Sequence, residues 1–174
     1  DSSPDLRQQL LRIGSPLIDA VIWTHGHYDH YSGFGEFYRV QKIPPAYAAP
    51  QVIGYCSELF RFLNLERNII ETYVTFEVFG LTITLFEVRH PPAPTFGILL
   101  ETGESRVGFT SDTNSDLPKA SLDLLQDLGL HAHYHLIYLG VADIDLLALA
   151  ELHEQDVLDH QVQVVRAGLL GHGL

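Results

Sequence analysis

The sequence predicts a layered α/β domain, with two sheets and helices packed outside them. Three observations carry this. Residues 72–88 and 96–110 read as two hairpin blocks rich in Thr, Val, Ile and Phe. Outside those blocks, short apolar runs alternate with segments of helical spacing. The 174 residues are 46% apolar and 18% charged, enough to bury one core, and no repeat, linker or low-complexity tract divides them. A single domain over 1–174 is therefore expected.

Taken in order, residues 6–13 place apolar side chains at 6, 10, 11 and 13, and Gly14, Ser15 and Pro16 stop this helix. Residues 18–23 form a short apolar run that reads as a buried strand. A helix can begin over 36–40, before Pro44 and Pro45, and 51–63 reads as a helix with Val52, Cys56, Leu59, Phe60 and Leu63 on one side. Strands follow over 72–79 and 81–88 around Gly80, and over 96–102 and 106–110 around Gly103. A helix over 117–128, a strand over 136–139, an apolar helix over 144–153 and a last strand over 162–165 complete the pattern.

The chain carries 22 acidic and 10 basic side chains, for a formal net charge of −12. That balance argues against a broad surface for duplex DNA or anionic lipid. It leaves room for a local positive site, because bound metal ions add charge that the count omits. Cys56 is the single cysteine, so no intrachain disulfide forms, in keeping with the cytoplasmic location expected here. No apolar run approaches the ~20 residues that span a bilayer. The sequence has no Met and opens at Asp1, and we expect it to be incomplete.

The sharpest signal is Thr24-His25-Gly26-His27-Tyr28-Asp29-His30, directly after the 18–23 strand. Chance alone would place His-x-His-x-Asp-His in a chain of this composition roughly two times in a thousand. The end of an apolar strand is also where open α/β sheets put ligands. Imidazole and carboxylate hold zinc, manganese or iron. Four such ligands within six residues crowd a single tetrahedral ion. Two neighbouring ions are the simpler geometry, with His25 and His27 on one and Asp29 and His30 on the other.

The motif resembles the metal-binding signature of the metallo-β-lactamase superfamily. The fold this implies is a four-layer αββα sandwich with two divalent metal ions at one edge of the sheets. The resemblance implies a further ligand His after a strand, for which His90 is the match. It also implies an Asp after a later strand that bridges both ions, and here Asp112 in Ser111-Asp112-Thr113 matches. Asp1-Ser-Ser-Pro-Asp-Leu-Arg-Gln-Gln-Leu-Leu, Pro94-Thr-Phe-Gly-Ile-Leu-Leu-Glu and Gly108-Phe-Thr-Ser-Asp-Thr resemble the phosphodiesterase branch more narrowly. That branch includes the cyclic-phosphate phosphodiesterases of phosphonate breakdown and, more distantly, the tRNA 3′-processing endonucleases. The likeness covers about residues 1–113.

Two strands of the family would precede Asp1 and are absent. A catalytic or phosphate-binding His is implied after the 136–139 strand, where Gly140-Val141-Ala142-Asp143 carries none. A last ligand His is implied after the final strand, and His172 is its positional candidate. His131, His133 and His135 alternate as one face of a strand would, most simply a solvent-facing edge, although three imidazoles can make a second zinc site. His153 and His160 read as surface residues.

The function expected is hydrolysis of a small-molecule phosphodiester by a hydroxide held between two cations (zinc, manganese or iron), with Asp29 as a ligand that also orients the nucleophile. A lactone or thioester hydrolase on the same site is the first rival. A non-catalytic metal-binding protein is the second, and a flavodiiron-type redox role is weaker still. Neither membrane nor duplex DNA is an expected partner; homodimerisation is left open.

Overall fold

The structure, a computed structural model, describes residues 1–103, 105–126, 132–134 and 163–166, the last two segments as strand backbone only. The expected strand over 136–139, the helix over 144–153 and residues 140–143 fall outside the described residues, as do His131, His135, His153, His160 and His172.

Helix α1 (Leu6–Arg12) leads to strand β1 (Val21–Ile22), followed by the one-turn helices α2 (Tyr28–Tyr31) and α3 (Phe37–Val40), separated by a 3-10 turn at Ser32–Glu36. Strand β2 (Ala46–Ala48), helix α4 (Pro50–Ser57) and strand β3 (Arg67–Ile69) complete the first half. Then come β4 (Thr75–Val78), β5 (Leu81–His90), β6 (Ala93–Glu101), β7 (Arg106–Phe109), helix α5 (Lys119–Leu125), β8 (Ala132–Tyr134) and β9 (Gln163–Arg166).

Two sheets result. One is a parallel three-stranded sheet in the order β1-β2-β3. The other has six strands in the order β4-β5-β6-β7-β9-β8, all paired antiparallel. The β4–β5 loop is Phe79-Gly80, both with left-handed backbone (φ 51° and 79°), the turn whose twist matches the flanking strands. The β5–β6 loop is Pro91-Pro92, closing on the pair His90↔Ala93. Pro91-Pro92 form the turn itself, and β5 runs two residues past the expected 81–88, through His90, to reach it.

Alternation along β5 and β6 explains the layers. Ile83 and Leu85 of β5, with Phe96 and Leu100 of β6, face the smaller sheet and its helices. Phe86, Val88 and Leu99 face the other way and pack with Leu125 of α5 and with Leu117 and Leu124. The core around the smaller sheet joins α1 (Leu6, Leu10) and α4 (Val52, Ile53, Cys56) to the fully buried Trp23 and Phe34. Trp23 meets Phe34 edge-on at 5.0 Å and stacks with Phe60 at 6.0 Å. Helices therefore cover both outer faces of two stacked sheets, the four-layer order expected.

The differences from the expected elements are local. The 18–23 strand contracts to Val21–Ile22, because its partner is short and preceded by Pro44 and Pro45, which have no N–H to extend a ladder. The 51–63 helix ends at Ser57 and continues as a 3-10 turn over Glu58–Phe60. Strands β2 and β3 and helix α2 carried no sequence signal that was read.

Candidate metal centre

The His-rich segment leaves the C-terminal end of β1 and is held at both ends. The Phe96 N–H of β6 donates to the Thr24 carbonyl at 3.0 Å, tying the segment to the larger sheet. On the other side α2 begins just after His27, and the His30 N–H donates to the His27 carbonyl at 2.9 Å. This puts Asp29 and His30 on one helical turn beside the extended His25–His27 backbone.

His90 and Asp112 arrive together for a separate reason. After β7 the chain turns at Ser111, whose φ of 58° lies in the left-handed region. The Asn114 N–H then donates to the Arg89 carbonyl at 2.7 Å, and the Arg89 N–H donates to Thr113 Oγ1 at 3.2 Å. The loop after β7 is thus laced to the tip of β5, and Asp112 lies beside His90. Ser111 Oγ donates to Thr24 Oγ1 at 2.8 Å, joining this loop to the first motif.

Ligand atoms of His25, His27, His90 and Asp112 all lie within 4.8 Å of one another. His27 Nδ1 is 3.1 Å from His25 Nε2 and 3.1 Å from His90 Nε2. Asp112 Oδ2 is 3.9 Å from His25 Nε2 and 3.6 Å from His90 Nε2. The same oxygen is 3.6 Å from His30 Nε2, which is itself 3.6 Å from Asp29 Oδ2. Of the six residues read as ligands in the described part of the chain, His25, His27, His90 and Asp112 form one close group, His30 adjoins it through Asp112, and Asp29 adjoins His30. Of the seven, His172 alone lies outside the described residues.

The arrangement fits a cation. Thr24 Oγ1 donates its one proton to Asp1 Oδ2 at 2.8 Å and accepts from Ser111, so the contact at 3.0 Å to His25 Nδ1 requires that ring nitrogen to be the donor. His25 Nε2 is then a bare lone pair. His27 Nδ1 has at most one proton to share between two imidazole nitrogens, so lone pairs converge with too few protons between them. Their spacing is close to the edge of roughly 3.3 Å expected of a tetrahedron with 2.0–2.1 Å bonds. His25 is fully buried, and burial, with His30, His27 and His90 nearby, lowers its pKa to about 3. Burial also lowers the His30 pKa, against the pull of Asp112 and Asp29.

Sequence reasoning missed the roles of Asp1 and Thr24. Asp1 Oδ2 accepts from His30 Nδ1 at 2.9 Å as well as from Thr24, and Asp1 Oδ1 accepts the Thr24 N–H at 2.8 Å. One carboxylate thus fixes the tautomer of His30 and, through Thr24, that of His25. The available signal was the Asp opening the 1–11 stretch, which the family resemblance used only as a match. Cys56 lies under the site, its thiol contacting the His25 carbonyl at 3.7 Å. Burial pushes that thiol up to about 12.

A family model described as the beta-lactamase superfamily domain matches residues 1–130, and the chain belongs to that family. Among solved structures, a new diphosphatase from the PhnP family is 26% identical with a TM-score of 0.57, covering 72% of this chain and 50% of that one. The metallo-beta-lactamase fold protein YhfI from Bacillus subtilis is 19% identical with a TM-score of 0.58, covering 72% of this chain and 53% of that one. The chain thus spans about half the length of both. A curated protein named octanoyltransferase, from Porphyromonas gingivalis, is 27% identical over 109 residues, 56% of this chain and 22% of that protein. Among the described residues no helix is long and apolar enough to cross a membrane.

Proposed function

We propose that this chain carries the centre of a metal-dependent hydrolase acting on small-molecule phosphodiesters. The observation that carries the reading is the single Asp112 oxygen standing 3.6 Å from His90 on one side of the cluster and 3.6 Å from His30 on the other. In this reading His25, His27 and His90 would hold one divalent ion, Asp29 and His30 would hold a second, and Asp112 would serve both. His172 is proposed as a further ligand to the second. Zinc, manganese and iron all suit this donor set. Such ions supply Lewis acidity toward phosphoryl oxygens and a water activated near neutral pH.

The chain's own residues do the remaining work. Asp1 and Thr24 orient His30 and His25, and burial keeps His25 neutral so that its Nε2 lone pair stays free. Asp29, on the exposed side of α2, is a ligand that also orients the attacking water. No side-chain nucleophile is required, and Cys56, buried and held protonated, does not serve as one. Support comes from the PhnP-family neighbour, a diphosphatase, since phosphodiester and diphosphate hydrolysis both deliver water to phosphorus.

Hydrolysis at a carbonyl carbon is the competing reading, favoured by the relative named octanoyltransferase over the 22% of that protein matched. The test is turnover by metal-reconstituted protein on bis(p-nitrophenyl) phosphate, a diphosphate ester, a lactone and an acyl thioester. Turnover of the phosphodiester above the other three supports the proposal. Turnover of the lactone or thioester alone overturns it, and metal binding without turnover of any ester points to a non-catalytic protein.

A further inference from the structure

One buried side chain, unused in the hydrolysis reading, joins the two ends of the ligand motif. Ser2 is fully buried. Its Oγ accepts from Trp23 Nε1 at 3.1 Å and donates to the Tyr31 carbonyl at 3.2 Å. An indole N–H can only donate and a carbonyl can only accept, so the direction of both bonds is fixed. Trp23 stands two residues before His25, and Tyr31 one residue after His30. The Ser2 backbone grips the same stretch. Its N–H donates to the His30 carbonyl at 2.7 Å, and its carbonyl accepts the Gly33 N–H at 2.9 Å.

The two halves of the motif depend on this clamp unequally. The backbone leading to His25 is tied to β2 by the Trp23 N–H, which donates to the Tyr47 carbonyl at 2.9 Å, and to β6 by the Phe96 bond to Thr24. His90 belongs to the long strand β5. Asp29 and His30 instead ride on α2, a helix of four residues. A single turn does not hold itself together in water, and its last carbonyls find no partner within the helix. Ser2 supplies two such partners, its N–H for His30 and its hydroxyl for Tyr31. Asp1 holds the His30 ring, while Ser2 holds the turn that carries it.

We propose that Ser2 is a positioning residue for the second ion. By satisfying the C-terminal carbonyls of α2 it sets the placement of Asp29 and His30, while the ion assigned to His25, His27 and His90 does not depend on it. The proposal rests on the two-ion reading above and adds which of the two ions the segment before α1 controls.

The test is calorimetric titration of the metal-free chain with zinc, together with the absorption spectrum of the cobalt-loaded protein. The unaltered chain is expected to take up two ions. Ser2→Ala should weaken the second roughly tenfold or more and leave the first within about twofold. Its cobalt spectrum should match that of His30→Ala and differ from that of His90→Ala. Ser121→Ala is the control for a merely structural loss. That serine is also fully buried, and its Oγ donates to the Glu87 carbonyl at 2.6 Å, but it lies on α5. Both ions should remain there. Equal weakening of both ions by Ser2→Ala, no weakening of either, or failure of that variant to fold would overturn the positioning role and leave the hydrolase reading standing. Uptake of fewer than two ions by the unaltered chain would overturn the proposal and the two-ion reading together.

Discussion

Asp1 and Thr24 decide which imidazole nitrogens are free, although neither stands among the metal-ligand candidates. Asp1 accepts from His30 Nδ1 and from Thr24, and Thr24 in turn requires a proton on His25 Nδ1. Carboxylates behind ligating histidines are worth about 10–100-fold in metal affinity or activity. Asp1→Ala is accordingly expected to weaken metal binding by that factor, read by competition with a chromophoric chelator. For residues proposed to ligate, His27→Ala or Asp29→Ala is expected to lower kcat at least ~10³-fold, while His153→Ala changes it little. Equal damage from His153→Ala would contradict the site. Cys56 gives a pH test. Its folded pKa is raised to about 12 from an ordinary 9.0, so the unfolded thiol ionises first. The folded state therefore keeps the full contribution of this group below pH 9, and loses it as pH rises from 9 toward 12. Thiol reagents at pH 8 are expected to label Cys56 only after unfolding. Rapid labelling of the native protein would contradict its burial.

The elements that carry the site were legible where chemistry and periodicity coincide along the chain. His25, His27, Asp29 and His30 stand within six residues at the end of an apolar run, so spacing alone exposed them. His90 and Asp112 needed the family pattern, because the hydrogen bonds that unite them, Arg89 N–H to Thr113 and Asn114 N–H to the Arg89 carbonyl, join separate strand ends. The 81–88 strand was legible in its Leu-Thr-Ile-Thr-Leu-Phe alternation, but its last two residues were hidden by prolines that close a hairpin. Strands β2 and β3 are three residues each, with Ala and Arg where β-formers would signal a strand, and their parallel partners alone define them. The segment before α1 was equally hidden. It docks by Gly33, whose N–H donates to the Ser2 carbonyl at 2.9 Å and where a Cβ would fall 1.7 Å from the Ser3 carbonyl oxygen. Gly33→Ala must push that segment, with Asp1, away from His30. The expected cost is about 1–3 kcal/mol in chemical denaturation, together with weaker metal binding. A variant as stable as its parent would show that the segment is not held there.

At the scale of the whole molecule, two sheets of different character meet at one edge. The parallel sheet delivers Thr24 to His30 from the end of β1, and the antiparallel sheet delivers His90 and Asp112 from the tips of β5 and β7. The Phe96–Thr24 and Ser111–Thr24 hydrogen bonds fasten one sheet to the other beside the ligands. In the proposed reading, bound ions would concentrate positive charge at this point of an acidic chain, and an anionic substrate group would be drawn there rather than to the surface at large. The central claim is that this edge holds two ions with Asp112 between them. Anomalous diffraction from crystals grown with saturating manganese tests it most directly. The account predicts two peaks about 3.5–4 Å apart. One should be ringed by His25, His27 and His90, the other reached by Asp29 and His30, with the Asp112 carboxylate in contact with both. A single peak, or two peaks with Asp112 turned away from either, would contradict it.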